Sequence, residues 1–186
     1  LSLVPKTRAW VARNVQEGQL FAVKAGLRLV PGAEPHLALG YEFRRGDVRF
    51  LKTLPPIERG SGYAVIEGRR YLMVLEEGQT TPPEGGPIRV TRGLFEVADV
   101  TEKPARATIR IATESGVTAA LSLLDQPPFR FLQKAGRPVS LGEGRAVLTT
   151  RLHLPLKPRV GFVEVAFEVE GTIHDLRSDV LVPGRT

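Results

Sequence analysis

The chain has 186 residues, no cysteine, and 26 Lys plus Arg against 20 Asp plus Glu, a formal net charge of +6. That length builds one large domain or two small ones, and 42% hydrophobic with 25% charged residues excludes wholesale disorder. Without cysteine there is no disulfide, no thiolate nucleophile and no zinc-thiolate site, and no apolar run approaches the ~18 residues of a membrane-spanning helix.

Arginine supplies most of the positive charge, and Asn14 and Met73 are the single residues of their kinds beside 15 prolines. This composition suggests a GC-rich, thermophilic source. The positive balance permits an acidic partner such as nucleic acid or an acidic polysaccharide and does not demand one. The chain opens at Leu1 rather than Met, from which a removed leader, a trimmed start or an unusual start codon read as Leu is expected.

In chain order, Leu27 and Leu29 form the first alternating apolar pair, which reads as a half-buried strand. "RRGD" (44–47) follows; Arg45, Gly46 and Asp47 are expected at an exposed hairpin tip, a place for recognition, although Gly-Asp is also ordinary turn chemistry. Val48 and Phe50 make a further inward pair. Ala64, Ile66, Leu72 and Val74 are expected on one side of a long strand with Gly68 as a bulge. "EEGQTTPPEGGP" (76–87) reads as a protruding loop, either a plain surface excursion or a recognition site with Thr80, Pro82 and Pro83 as its candidate residues. "VTRGLFEV" (90–97) reads as a hairpin, and charge and proline in "DVTEKPA" (99–105) mark a joint.

Beyond the joint, Ile109/Ile111, Leu121/Leu123 and Phe129/Phe131 are expected in strands. Ala146, Leu148, Leu152, Leu154 and Leu156 share one side of another, and Val163, Val165, Phe167 and Val169 one side of the last. No segment sustains apolar spacing of three and four, so no helix is expected. "LGEGRAVLTT" (141–150) carries a G-x-G, but a phosphate cradle needs a strand before it and a helix after it. The glycines are therefore read as a turn into a strand.

The sequence also matches itself. "KAGLRL" (24–29) reappears as "RATIRI" (106–111), "VRFL" (48–51) as "FRFL" (129–132), and "GSGYAV" (60–65) as "GEGRAV" (142–147), near one common offset. The pattern predicts an all-β fold of two tandem β-sandwich units, residues 1–97 and 98–186, with about seven short strands each. With a proline, an apolar residue and a glycine turn before a long strand in each unit, this layout resembles bacterial immunoglobulin-like proteins of the cell envelope. The opening "LSLVPKTRAWVARNVQEGQLFAVKAGLRL" is similar to the start of their extracytoplasmic members, pilus chaperones and BatD-like proteins among them. The resemblance implies an immunoglobulin-like fold, a non-enzymatic role and a periplasmic or surface location; it carries over no binding residue.

His36, His153 and His174 show no metal-ligand spacing, and Ser61 in "GSG" lacks the setting of a nucleophile elbow. No cofactor, metal or catalytic residue is assigned. The repeated charge feature is arginine: Arg28 with Arg110, Arg49 with Arg130, and Arg69 with Arg151 are equivalent between the units and fall opposite the apolar positions. They mark two basic faces suited to a polyanion, or simply a solvated outer surface. The expectation is thus an exported structural or protein-binding module acting through sheet edges and loops. A virion or other assembly component is the first alternative and a polyanion binder the second.

Overall fold

The computed structural model describes residues 15–32, 36–49, 53–127, 129–157 and 160–178. Eight strands form one antiparallel sheet in which each strand pairs with its neighbours in sequence. They are β1 (Val15–Arg28), β2 (His36–Val48), β3 (Ile57–Glu67), β4 (Arg70–Thr80), β5 (Ile88–Val97), β6 (Arg106–Gly116), β7 (Glu143–Pro155) and β8 (Ala166–Arg177). The sheet is open, with β1 and β8 at its two edges. Two helices, α1 (Val117–Leu124) and α2 (Phe131–Lys134), fill the β6–β7 connection, and a 3₁₀ turn (Phe162–Glu164) precedes β8.

Period-two alternation explains the sheet's two faces. Directly paired residues share a face, so the register places Leu39, Ala64, Met73, Phe95, Ile109, Leu152 and Phe167 together on one apolar face. Its centre is buried: Ala64, Leu75, Val90, Val97, Ala107 and Ala146 are each under a tenth exposed. Val117, Ala120 and Leu121 of α1 lie against Ala146 and Leu148 of β7 and close one end of it. On β3 this face carries Gly60, Gly62 and Ala64, and a Cβ at Gly62 would come within 2.0 Å of the Val74 carbonyl oxygen. Above Ala64, the Tyr41 and Tyr71 hydroxyls of the flanking strands meet at 3.3 Å. Burial pushes the Tyr71 hydroxyl far above its ordinary pKa, and Tyr41 reinforces this.

Several expectations are corrected. The described strands number five in the residues read as unit one and three in those read as unit two, against about seven each, because single long strands replace several short ones. β5 pairs with β6 across the joint, so the sheet continues through it. Leu121 and Leu123 lie on α1, and Phe131 on α2, not on strands. In "VTAALSLL", Val117, Ala120, Leu121 and Leu124 have the spacing of one helix face, hidden by the brevity of the segment. "VTRGLFEV" is one strand, β5, rather than a hairpin.

Gly68 (φ +58) sits in a tight turn between β3 and β4. That turn reverses the chain, so Tyr71 and Met73 share the face of Ala64 while Leu72 and Val74 point the other way. The segment 76–87 is half strand, since β4 runs to Thr80. β8 starts at Ala166, so Phe167 and Val169 alternate as read, whereas Val163 belongs to the 3₁₀ turn and is 93% exposed. "GEGRAV" opens β7 and no helix follows it, as the glycine reading requires; "GSGYAV" lies inside β3. Phe50 and the opening residues 1–14 fall outside the described residues.

Candidate functional site

Three surfaces compete for a functional role: a line of bulges, the polar face of the sheet, and the sheet's two edges.

The bulges come from three non-glycine residues with left-handed backbones, Ala22 (φ 48), Arg45 (φ 53) and Arg59 (φ 53), each at a register shift. An extra residue in one strand bends it and re-aims its side chains. The bends at Arg45 and Arg59 border a groove of about 660 Å³ on β1–β4, lined by Glu17, Arg44, Arg45, Asp47, Arg59 and Glu77 among others. "RRGD" is therefore a bulge inside β2 and not a hairpin tip: Gly46 is buried opposite Gly60, and Asp47 Oδ1 accepts the Arg59 backbone N–H at 2.7 Å. The sequence signal that was missed is the repeated Arg-Gly pair, at 45–46 and again at 59–60. Three arginines face three carboxylates in the groove, and Ser61 Oγ donates to Glu77 at 2.8 Å. Such a balanced lining supplies no net field for a polyanion.

The polar face is a cross-strand ion ladder. Arg70 meets Glu96 at 2.7 Å, Arg89 and Arg145 both meet Glu114 at 2.7 and 3.2 Å, and Arg151 meets Glu168 at 2.6 Å. The hydrogen bond from Arg89, with Arg145 adding to it, holds the Glu114 carboxyl below the usual carboxylate range. Of the six arginines singled out, Arg110 and Arg151 are directly opposite each other on β6 and β7. Arg28 ends β1 opposite His36, and Gly68, next to Arg69, lies beside the His36 ring. Arg69 itself pairs with Asp99 at 3.6 Å. Arg49 follows β2 and is exposed. Arg130 sits before α2 with φ 48, so its expected equivalence to Arg49 on a strand is not kept. The structure thus spreads the six over two strands, a turn, two strand ends and a helix entry, and places acids among them.

The second candidate loop is packed rather than protruding. Thr80 is 7% exposed and Pro82 is buried, while Pro83 is exposed. Glu84 N–H donates to Ser122 Oγ of α1 at 3.2 Å, and a Cβ at Gly85 (φ +86) would lie 2.2 Å from the Ala119 nitrogen. The prolines and glycines of 82–87 serve this close docking against α1, which removes Thr80 and Pro82 as accessible recognition residues. The histidines stay apart, His36 on β2, His153 on β7 beside Thr108 Oγ1 at 3.0 Å, and His174 on β8. Among the described residues no cluster of three or more His, Asp or Glu is placed to hold a metal, and no helix is long and apolar enough to cross a membrane.

The edges differ from everything between them. β8 is exposed at all twelve residues, and β1 at all but Val15 and Phe21. Seven of the fifteen exposed large hydrophobics belong to these two strands: Leu20, Val23, Leu27, Phe167, Val169, Ile173 and Leu176. Their alternation is visible in the sequence, but nothing local says that a strand lies at an edge. Phe167 meets Phe129 and Phe131 at ring-centroid distances of 6.1 and 5.5 Å, so the β6–β7 connection reaches the apolar face of β8 without covering Val169 or Ile173. Long exposed apolar edges attract other strands and are normally blunted or covered. Compared with family models, with curated proteins and with solved structures, the chain matches none.

Proposed function

We propose that this protein is a non-enzymatic structural module that binds protein through the edges of its sheet. One observation carries the reading: β1 and β8 leave their outer edges unpaired among the described residues and expose the same apolar face that is buried in the centre. Edge strands of this kind recruit a partner's strand by main-chain hydrogen bonds, with alternate side chains giving selectivity. An exported or surface-displayed location is part of the proposal and rests on the envelope-protein resemblance. The finer immunoglobulin-like form, in which two units of the sheet fold into packed layers, also belongs to the proposal. The self-matches that fall in strands at β1 with β6 and at β3 with β7 support it.

Assembly into a virion or comparable shell is the second reading, and two exposed edges on one sheet are what favour it. Polyanion binding ranks below both, since acids neutralise much of the arginine face. The test is cross-linking of the protein inside its source cells or particles, followed by peptide mapping. Contacts at β1 and β8 support the edge reading. Contacts confined to the polar face, with binding to heparin that collapses in salt and on Arg28→Glu/Arg110→Glu, overturn it in favour of a polyanion partner.

A further inference from the structure

We propose that the partner is a second copy of this chain, with β1 of one copy pairing antiparallel to β8 of the next. This rests on the edge reading above and names its occupant.

Direction comes first. Successive strands of the meander alternate, so with eight strands β1 and β8 run oppositely. A neighbour brought alongside by rotation about an axis parallel to the strands therefore presents β1 antiparallel to β8, and the sheet passes from chain to chain. Such a contact is head-to-tail and makes a ring when the rotation closes.

Register comes second. β1 already pairs with β2 through three irregularities, two of which lie within the stretch from Glu17 to Lys24: one extra residue on β1 between Phe21 and Lys24, and one extra on β2 between Arg44 and Asp47, where Arg45 has φ 53. β8 repeats the second feature, with an extra residue between His174 and Arg177, where Asp175 has φ 53. Set Lys24 opposite Glu170, and the bulge on β1 brings Leu20 opposite Ile173 and Gln19 opposite His174. The bulge at Asp175 then brings Glu17 opposite Arg177, as Arg45 brings Glu17 opposite Asp47 in β2. β8 is thus shaped to lie along the outer edge of β1 as β2 lies along its inner edge.

Side chains agree with this alignment. On the apolar face Leu27 meets Phe167, Ala25 meets Val169 and Leu20 meets Ile173. Of these, Leu20 and Leu27 are 63% and 62% exposed in the single chain, and Val169 and Ile173 are 38% and 48%. On the polar face Lys24 meets Glu170, Glu17 meets Arg177, and Arg28 stands diagonal to Glu168. β1 carries its acid at the N-terminal end and its bases at the C-terminal end, while β8 carries Glu168 and Glu170 first and Asp175 and Arg177 last, with Asp175 at the bulge. The antiparallel arrangement joins opposite charges at both ends; a parallel one brings Glu17 towards Glu168 and Arg28 towards Arg177, with Lys24 near Asp175 as its one favourable approach. Strand alternation and the matching bulges set direction and register, the end charges favour them, and apolar burial supplies the attraction.

The chain's lack of cysteine makes the test clean. Lys24→Cys and Glu170→Cys are prepared in separate full-length chains, mixed and oxidised, with circular dichroism confirming that each folds. The expected result is a covalent heterodimer in the mixture, in large excess over any homodimer from either variant alone. Sedimentation of the unmodified protein should show a concentration-dependent oligomer. Lys24→Glu should raise its dissociation constant about ten-fold, and adding Glu170→Lys in the same chain should restore it. A protein that stays monomeric and gives no cross-link in the mixture overturns the proposal. So does a Lys24→Cys/Glu170→Cys double variant that closes within one chain. If the second copy fails but in-cell cross-links still map to β1 and β8, the edge reading stands with a different partner; if those links are missing too, both readings fall.

Discussion

Leu75 of β4 and Leu20 of β1 lie on the same apolar face of one sheet, yet Leu75 is 7% exposed and Leu20 is 63% exposed. The residue type, the strand context and the alternation are alike. What differs is distance from the edge. At the centre each strand has a neighbour on both sides and α1 closes one end of the apolar face against β7, whereas at β1 and β8 the same pattern continues outward with little laid over it among the described residues. Hydrophobic patterning therefore marks a face for burial without saying whether the chain itself or a partner supplies the cover.

The largest effect expected from this contrast lies at the centre. Leu75→Ala should destabilise the fold by about 2–5 kcal/mol, the usual cost of emptying a packed leucine site, read from denaturant unfolding. Leu75 also touches the positions a Cβ would occupy at Gly60 and Gly93, at 3.1 and 3.0 Å, so little nearby can move in to fill the space. A loss near zero would show that the centre is not packed as described.

Gly85→Ala comes next, with an expected loss of about 1–3 kcal/mol, because φ +86 strains an L residue and the new methyl meets the backbone of Ala119. The same change at Gly86, which has φ +82 but nothing within 4 Å, should carry the backbone strain without the collision and cost less. Equal losses at both positions would mean that the 82–87 segment is not docked on α1.

Leu20→Ala sharpens the comparison from the other side. In dilute protein it should change unfolding by no more than about 0.5 kcal/mol, as for surface substitutions generally, while lowering self-association at high concentration. A large loss in the dilute chain would place Leu20 in an interior.

The smallest effect is the response to acid. Hydrogen bonds from Thr101, Arg89 and Lys157 respectively hold the Asp99, Glu114 and Glu164 carboxyls below their ordinary range. The folded chain then binds fewer protons than the unfolded chain as pH falls through the usual carboxylate range. The stabilisation is fully present above that range and is lost as pH drops through the lower folded values. Melting temperature should decline gently below about pH 4.5, and Glu114→Gln should remove part of that decline. The three groups lie at the surface, so screening by salt should weaken the effect further.

Much of this was legible in the chain. The face of Ala146, Leu148, Leu152 and Leu154, the strand at Ile109/Ile111, the glycine pair entering β7 and the outward placing of His153 all follow from period-two alternation and turn chemistry. The misread positions share one cause. Leu72 and Val74 were put on the wrong face because a tight turn at Gly68 and a bulge there look alike locally, and only pairing with β3 separates them. Leu121 and Leu123 alternate like a strand, but α1 is held in place by contacts with β7 that are distant in sequence. Arg45, Gly46 and Asp47 read as a tip because Gly-Asp suits turns, whereas pairing with β3 keeps them inside a strand.

The amino-acid order by itself determined an all-β chain with one apolar and one charged face, since alternation is a property of neighbouring residues. Tertiary structure decided which strands stand at the edges, that Arg45, Arg59 and Asp175 bend their strands, and that the proline-rich segment docks on a helix. Those outcomes depend on register between residues far apart in the chain, where a shift of one position moves every side chain to the other face.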